Sequence, residues 1–447
     1  QTGIAKSAAE DYTIDQSLKF DDGSDSSLSR TPSGAGNQKT WTWSCWVKMG
    51  TLTTAYPYII VAQDGNPSTI IGFNNADQFR FYEYTDAGSD IYVTTSAKYR
   101  DVGAWYHFVV ACDMTQSVNT NRIKMYVNGE QVTAFDNYGT YTLNYDTKMN
   151  GTDGHHIGEN EDGDYPFDGY LAEMYLIDGL QLAASDFGET DSTTNQWKPI
   201  DASGLTFGTN GFYQKYQDSS ALGDDSSGND NDFTPTNLVA TDQMLDSPTN
   251  NFPVQSPLIL QSSTIYNVYH EGNLKVTNDV GYTNTDARFS NATFGIDTSS
   301  GVGYYWEIYC IGSREGTGSF GVMNVDNGFY TANGSSWSKI YMGSWNGASQ
   351  FYQYYPSVVQ IGTTSGTRGA GAIAGVAMKG TNIFYRMNGV WIDTQDPETD
   401  TDPGSTAAAG VYYPSTEIYG TPYDNDFVIN FGQDSSFAGN LTAQGNT

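Results

Sequence analysis

The chain has 447 residues, with 51 acidic side chains against 20 basic ones and a formal net charge of −31. This length allows two or three domains with buried cores, and the negative charge makes nucleic acid and anionic membrane surfaces poor partners. Charged residues form only 16% of the chain, Gly and Tyr are abundant, and no sustained helical periodicity occurs, so the sequence predicts an all-β protein.

The first half of the chain is predicted to form short strands separated by turns. In chain order, these strands fall at residues 17–20, 40–49, 58–63, 78–85, 90–97, 105–114, 124–132 (a hairpin), 167–179, and near 211–218 and 231–238. Residues 239–263 contain three prolines and little alternation, and we interpret them as a linker between domains.

The second half resumes with strands at residues 304–312, 319–325, 371–380, 384–392 (a hairpin), 410–420 and 426–432. Residues 334–357 and the acidic residues 394–405 are predicted to be long loops. No apolar stretch approaches the ~20 residues that a membrane-spanning helix needs, so membrane insertion is not expected.

Two stretches of the sequence repeat one pattern, KMYVNGEQV at residues 124–132 and FYRMNGVWI at residues 384–392. In each, an aromatic strand enters Asn-Gly and a second strand returns, which is typical of a hairpin with a type I′ turn. A mostly apolar strand precedes both hairpins. The repeated order predicts two β-sandwich domains in tandem, at residues 1–238 and 264–447.

Catalytic and metal-binding signatures are weak. Cys45, Cys112 and Cys310 are odd in number and widely spaced, which is against a disulfide framework or a cysteine metal site. His107 lies in a strand and reads as structural, and the adjacent His155 and His156 point to opposite faces, so they are not expected to share a metal.

No strand carries two closely spaced carboxylates of the kind that retaining glycosidases use. The nearest run, GENEDGD at residues 158–164, has two glycines and reads as a turn. The sequence therefore predicts a protein that is not an enzyme. A pair of carboxylates from separate strands stays open as an alternative.

Several motifs resemble known families. The first half is similar to the LamG-type, concanavalin A-like jelly roll over about residues 15–238. The motif sequences closely resemble those of virion proteins of marine tailed bacteriophages. The motifs are SLKF (17–20), DSSLSRTPSGAGNQKTWTWSCWVK (25–48), WYHFVVACD (105–113), RIKMYVNGEQV (122–132), HHIGENEDGDYPFDGYLAEMYLIDG (155–179) and DFGETDSTTNQW (186–197). The second half resembles the SPRY (B30.2-like) sandwich through GYYWEIYC (303–310), SFGVMN (319–324), AGVAMKGTNIFYRMNGVWI (374–392) and DFVINFGQDSSF (426–437).

The resemblance implies two concanavalin A-like sandwiches in tandem and suggests calcium, which LamG-like domains often bind. Three acidic turns lie at residues 21–25, 161–164 and 224–232, and each has several side chains with oxygen donors next to a glycine. The candidate calcium ligands are Asp22, Asp25, Asp162, Asp164, Asp225 and Asn229. The same residue types also simply form turns, so the two interpretations stay open.

Aromatic residues crowd the predicted loop at residues 334–357, where exposed rings could stack on sugars. The candidate glycan-binding residues are Trp337, Tyr341, Trp345, Tyr352, Tyr354 and Tyr355. The alternative is that these rings pack a second layer or a contact between subunits.

The leading hypothesis is a virion surface protein, on a tail fibre or capsid, that binds host cell-surface glycans without cleaving them. Its expected partners are a host polysaccharide, other virion proteins and further copies of itself, with a trimer favoured. The alternatives are a purely architectural decoration protein and a glycan depolymerase.

Overall fold

The computed structural model describes residues 11–52, 56–84, 90–258, 267–278, 287–311, 318–324, 340–346, 350–355, 357–363, 369–419 and 426–442. The chain divides into two compact units. The first comprises Gln1–Lys48, Thr53–Arg100 and Ala104–Asn251, and the second comprises Met49–Leu52, Asp101–Gly103 and Phe252–Thr447. Within the described ranges the regular elements are β-strands and three short 3-10 helices, which confirms the all-β class. No helix there is long and apolar enough to cross a membrane.

The described part of the first unit contains eighteen strands. They are β1 (Ser17–Phe20), β2 (Ser27–Arg30), β3 (Thr40–Met49), β4 (Tyr58–Gln63), β5 (Ser68–Phe73), β6 (Gln78–Tyr84), β7 (Asp90–Lys98), β8 (Tyr106–Asp113), β9 (Ile123–Val127), β10 (Glu130–Gln131), β11 (Phe135–Tyr138), β12 (Gly154–Ile157), β13 (Gly169–Asp178), β14 (Gly188–Thr190), β15 (Trp197–Pro199), β16 (Phe212–Gln214), β17 (Thr234–Thr236) and β18 (Gln243–Met244). The 3-10 helices are Asn119–Asn121, Ala184–Asp186 and Ala240–Asp242.

Two sheets form a sandwich in the first unit. Sheet 1 has the order β10-β9-β8-β3-β13-β1-β18, with β16 also paired to β13, and sheet 2 has the order β11-β7-β6-β5-β4-β12-β2-β17. Aromatic side chains of both sheets fill the space between them: the Phe79 and Phe108 ring centroids are 4.4 Å apart, and Trp43 stacks near Phe79 at 6.3 Å. All three cysteines of the chain are free and buried, as the sequence indicated for Cys45.

The segment 239–251, predicted as part of the linker, belongs to the first unit. Strand β18 pairs with β1, which extends sheet 1 at its edge. Asp246 then forms a buried ion pair with Lys48, with 2.6 Å between carboxylate and ammonium. Of the three prolines in the predicted linker, Pro248 lies in this segment, whereas Pro253 and Pro257 belong to the second unit, and the division between the units falls after Asn251.

The second unit contains fifteen strands in the described ranges. They are β19 (Asn267–His270), β20 (Lys275–Asn278), β21 (Ala287–Asn291), β22 (Ile296–Asp297), β23 (Gly303–Cys310), β24 (Gly318–Met323), β25 (Ile340–Asn346), β26 (Gln350–Tyr355), β27 (Val359–Thr363), β28 (Ile373–Lys379), β29 (Asn382–Met387), β30 (Val390–Trp391), β31 (Ser405–Thr406), β32 (Val411–Tyr419) and β33 (Phe427–Asn430). Sheet 3 runs β19-β20-β33-β23-β28-β29-β30, and sheet 4 runs β21-β32-β24-β25-β26-β27.

Buried apolar residues from sheets 3 and 4 form one core, which includes Trp306, Phe320, Phe351 and Tyr385. Strands β25 and β26 pair with each other, so much of the predicted loop at residues 334–357 is a hairpin in a sheet. Residues 396–404 form a loop of exposed and half-buried residues with a bridge between Asp396 and Thr401, whereas Gln395 and Ser405 at its ends are buried.

The two Asn-Gly hairpins are equivalent in detail. Asn128 and Gly129 have φ of 47° and 85°, and Asn388 and Gly389 have 46° and 83°, as a type I′ turn requires. Each asparagine side chain also accepts the N–H of the preceding apolar strand, from His107 at 2.7 Å and from Ile373 at 3.0 Å. The repeated pattern in the sequence therefore marks the same structural unit twice.

Candidate ligand-binding faces

A strip of aromatic rings crosses the outer face of sheet 2. This tyrosine strip consists of Tyr56, Tyr58, Arg80, Tyr82, Tyr92 and Tyr165. The Tyr58 and Tyr165 rings stack with centroids 4.6 Å apart, and the Tyr82 and Tyr92 rings stack at 4.8 Å. Between the two stacks, the Arg80 guanidinium lies close to the Tyr82 ring, 4.9 Å from its centroid. The strip therefore consists of two tyrosine stacks with one cation between them, and Tyr58 and Arg80 within it are buried.

The alternation of β6 explains why these residues share a face. Phe79 and Phe81 are fully buried in the core between the sheets, so Arg80 and Tyr82 point to the other side. Cross-strand register then aligns Tyr82 of β6 with Tyr92 of β7. The strip is thus set by strand pairing.

Gly72 of β5 makes room in the middle of the strip. It pairs with Tyr58 on one side and with Arg80 on the other. A Cβ atom at this position would lie 2.4 Å from the Pro57 carbonyl oxygen. The missing side chain lets Tyr58 and Arg80 approach each other across β5.

A second aromatic group lies on the outer face of sheet 3. The Tyr305 and Trp391 rings meet edge to face at 5.9 Å, and the Arg386 guanidinium is 5.7 Å from the Trp391 centroid. Arg386 donates to the Tyr305 hydroxyl at 3.2 Å, and this hydroxyl donates to Glu307 at 2.5 Å. Here the cation and an acid are joined through a tyrosine, so the group is close to neutral.

The predicted aromatic residues take different positions. Tyr341 is only 8% exposed and packs in the core of the second unit, 5.9 Å from the Tyr412 ring, so it is not available to a ligand. Tyr352 is half-buried, and its hydroxyl donates to Gln350 at 2.9 Å. Trp345, Tyr354 and Tyr355 lie in β25 and β26, but their side chains, like the whole of Trp337, lie outside the described structure.

Two of the predicted calcium turns lie side by side. Strand β2 pairs with β12, which brings the turn containing Asp22 and Asp25 next to the turn containing Asp162 and Asp164. The latter two side chains are exposed, and their backbone N–H groups are held by the Asn160 side chain at 3.0 and 2.6 Å.

Glu159 lies where these two turns meet. Its Oε1 accepts from Ser27 at 2.5 Å, whereas its buried Oε2 has no hydrogen-bond partner in the described structure. Burial raises the pKa of Glu159, the Ser27 hydrogen bond lowers it, and the nearby Asp25 raises it further. Glu159 lies in a turn predicted from the sequence, but it was not among the candidate calcium ligands.

In the third predicted turn, at residues 224–232, the candidate ligands form hydrogen bonds with the protein itself. The buried Asp225 carboxylate accepts the N–H groups of Tyr213, Ser227 and Asn231 at 2.8 to 2.9 Å. The Asn229 amide donates to the carbonyls of Gly208 and Gly211. Both side chains therefore organise the loop.

His107 is buried beside Ser44, but the pair cannot act as a nucleophile and base. The Trp197 indole N–H donates to Nδ1 of His107 at 3.1 Å, so Nε2 carries the proton and donates to Ser44 Oγ at 2.8 Å. Burial lowers the pKa of His107 to about 3, which keeps it neutral. His155 and His156, adjacent in β12, point to opposite faces, and His155 accepts the N–H of Asn150 at 3.2 Å.

A polar cleft of about 540 Å³ in the first unit is lined by Glu173, Lys215 and Asp218, among others. Burial raises the pKa of Glu173, and hydrogen bonds from Ser220 lower the pKa of Asp218. Acids whose pKa values are shifted in opposite directions are one feature of a carboxylate-based glycosidase.

The hydrogen bonds of Glu173 favour a structural role instead. Tyr12 donates to one carboxylate oxygen at 2.9 Å, and Tyr175 and Tyr213 both donate to the other. Three tyrosine hydroxyls therefore occupy most of the positions at which Glu173 could contact a substrate.

Residues 22–184 match the family model of the concanavalin A-like lectin/glucanases superfamily. A search of curated protein sequences found no match. Among solved structures, the chain is similar to mouse laminin alpha1 chain domains LG4-5 (10% identity, 96% of this chain and 94% of that chain covered, TM-score 0.31). It is also similar to the SPRY domain of human HERC1 (15%, 38% and 91%, 0.26).

A third similar structure is the CBM40 of Ruminococcus gnavus IT-sialidase bound to alpha2,3 sialyllactose (14% identity, 38% of this chain and 91% of that chain covered, TM-score 0.27). At such identities and TM-scores, these likenesses assign no function. The fold class is all-β, as the sequence predicted, and residues 22–184 match the concanavalin A-like model that the first half of the sequence resembled.

Proposed function

We propose that the chain is a non-catalytic glycan-binding protein that uses the tyrosine strip of sheet 2. The observation that supports this proposal is the pair of tyrosine stacks, Tyr58 with Tyr165 and Tyr82 with Tyr92, on a sheet face turned away from the core. Flat aromatic rings bind the apolar C–H faces of sugar rings, and tyrosine hydroxyls can hydrogen-bond sugar hydroxyls.

The geometry of the strip suits a chain of sugar units better than a small compact ligand. The ring of Tyr165 is 41% exposed, and Tyr56, Tyr82 and Tyr92 are half-buried. The rings are fixed by stacking and by strand register, so little conformational entropy is lost on binding.

The virion surface location is part of the same proposal, and it rests on the motif resemblance to phage virion proteins. Host cell-surface glycans would then be the ligand, with other virion proteins as neighbours. A homo-oligomer, with a trimer favoured, would multiply weak contacts with a repetitive polysaccharide.

Calcium is proposed at the meeting point of the turns at residues 21–25 and 158–164. The support is the buried Oε2 of Glu159, which lacks a hydrogen-bond partner in the described structure, together with the nearby Asp25. Carboxylate and carbonyl oxygens are the ligands that calcium prefers. The ion would stabilise the end of sheet 2.

A glycan depolymerase is the second candidate function, favoured by the cleft that Glu173 and Asp218 share. Glu173 would be the protonated acid and Asp218 the ionised carboxylate. Any cleavage should then disappear in Glu173→Gln.

A glycan array with product analysis tests both functions. The full chain should bind a defined set of glycans without cleaving them. Tyr165→Ser and Tyr82→Ala should weaken binding at least tenfold, whereas Tyr352→Ser should leave it unchanged. Cleavage of bound glycans would support the depolymerase, and binding that depends on Tyr352 would move the site to the second unit.

A further inference from the structure

Arg80 is a buried cation at the centre of the tyrosine strip. Its side chain is 5% exposed. The guanidinium carbon lies 4.7 Å from the Tyr56 centroid, 4.9 Å from the Tyr82 centroid and 5.9 Å from the Tyr58 centroid. The negative faces of these rings favour a cation, so the three tyrosines form a cage that holds the guanidinium on the outer face of sheet 2.

Among the described residues, no carboxylate pairs with Arg80. In the described parts of the chain, no Asp or Glu oxygen lies within 4.0 Å of its guanidinium, and its buried Nε has no hydrogen-bond partner. By contrast, Arg100 pairs with Asp77 at 2.5 Å. Since the chain has 51 acidic residues, the missing partner does not reflect a shortage of acids.

An unpaired buried charge is costly. Arginine is almost never fully buried without a partner, because burial removes its hydration. Burial lowers the pKa of Arg80, and the surrounding tyrosines oppose this effect only in part. An anion bound to the strip would provide the negative charge that no described residue supplies to Arg80. A planar guanidinium is well suited to a carboxylate or sulfate group.

We propose that Arg80 recognises an anionic group, a sugar carboxylate or sulfate, on an acidic glycan that lies along the tyrosine strip. This inference rests on the proposed glycan-binding function and names the ligand class at the same site. The anion reaches the edge of the guanidinium while neighbouring sugar rings stack on the flanking tyrosines. The strong negative charge of the chain repels anions elsewhere, so Arg80 makes this attraction local and selective.

Matched ligands test the inference with the unaltered protein. Isothermal titration compares a uronate-containing oligosaccharide with its carboxyl-reduced, neutral analogue, and a sulfated oligosaccharide with its desulfated form. Binding of the acidic member at least tenfold tighter, with the advantage falling as salt is raised, is expected. Inorganic sulfate and acetate alone are titrated in parallel.

Variants then identify the residue responsible. Arg80→Gln should abolish the preference for the acidic ligand while it retains weak binding of the neutral one, and Arg80→Lys should restore part of the preference. Arg100→Gln, which removes an exposed and paired arginine, should behave like the unaltered protein. The comparison of matched ligands does not depend on the folding of any variant.

The outcomes distinguish a failure of anion recognition by Arg80 from a failure of the proposed glycan binding. Equal affinity for acidic and neutral members would overturn the role of Arg80 and leave glycan binding standing. Binding of inorganic anions but of no glycan would overturn the acidic-glycan inference and the proposed function together. Binding of no ligand would do the same.

Discussion

Glu83 provides a direct test of the core of the first unit, because it is an acid inside a sandwich. Its side chain is 0% exposed, Thr69 donates to one carboxylate oxygen at 2.6 Å and Tyr145 to the other at 3.3 Å. Burial raises the pKa of Glu83 from 4.5 to about 8, although the hydrogen bonds oppose the shift. The folded protein therefore holds a proton on Glu83 at neutral pH.

The sign and size of the effect on stability follow from linkage. Because the folded pKa lies above the unfolded value, the contribution of Glu83 to the free energy of unfolding is fully present below pH 4.5 and is lost as the pH rises to about 8. At about 1.4 kcal/mol per pKa unit, the loss is at most about 5 kcal/mol.

Glu83→Gln should remove this dependence, since the neutral amide keeps an acceptor for Thr69. Urea denaturation from pH 5 to pH 9 should give similar stability for both proteins at pH 5 and a more stable variant at pH 9. Glu130→Gln, at an exposed position, serves as the control and should follow the unaltered protein. Parallel stability curves for Glu83→Gln and the unaltered protein would refute the reasoning.

Further substitutions test other parts of the structure. Lys48→Met should destabilise the first unit by about 3–5 kcal/mol in urea denaturation, because it leaves the buried Asp246 without its cation; a loss below about 1 kcal/mol would contradict the buried pair. Asn128→Ala and Asn388→Ala should each cost about 1–2 kcal/mol, since both lose a hydrogen bond and a residue suited to positive φ; thermal unfolding should show equal effects on the two units, and a loss in only one would contradict their equivalence. Calcium should raise the melting temperature of the unaltered protein but not that of Glu159→Gln, and a shift that survives in the variant would place the ion elsewhere.

The sequence predicted most strands and both hairpins, because alternation and turn chemistry are local signals. Asn-Gly dipeptides at residues 128 and 388 indicated type I′ turns that the backbone angles confirm. The strands that were not predicted include β2, β5 and β11, and the strands β25 and β26 were predicted to be part of a loop. Residues 27–30 are short and gain their pairing from the distant strands β12 and β17, whereas residues 68–73 pair with their sequence neighbours β4 and β6.

The tyrosine strip was not predicted, because both faces of β6 carry aromatic residues. Alternation separates Phe79 and Phe81 from Tyr82, but it does not say which set is buried. The position of Tyr92 opposite Tyr82, and that of Tyr165 on Tyr58, depends on pairing and packing between distant segments. The sequence feature that could have indicated the strip was the alternation of Arg and Tyr with other residues in QFRFYEY, residues 78–84.

Tyr341 shows the opposite difficulty. Its neighbours are rich in Gly and Ser, which favoured an exposed loop, yet β25 pairs with β24 and places Tyr341 opposite Val322. The ring then joins the core of the second unit. Local composition could not reveal this tertiary partner.

The most direct test of glycan binding by sheet 2 is the affinity of the tightest-binding array glycan for two variants, Tyr165→Ser and Tyr352→Ser, measured by titration calorimetry. Glycan binding at the tyrosine strip predicts at least a tenfold loss for Tyr165→Ser and no change for Tyr352→Ser. Full affinity in Tyr165→Ser, with a loss in Tyr352→Ser, would contradict it.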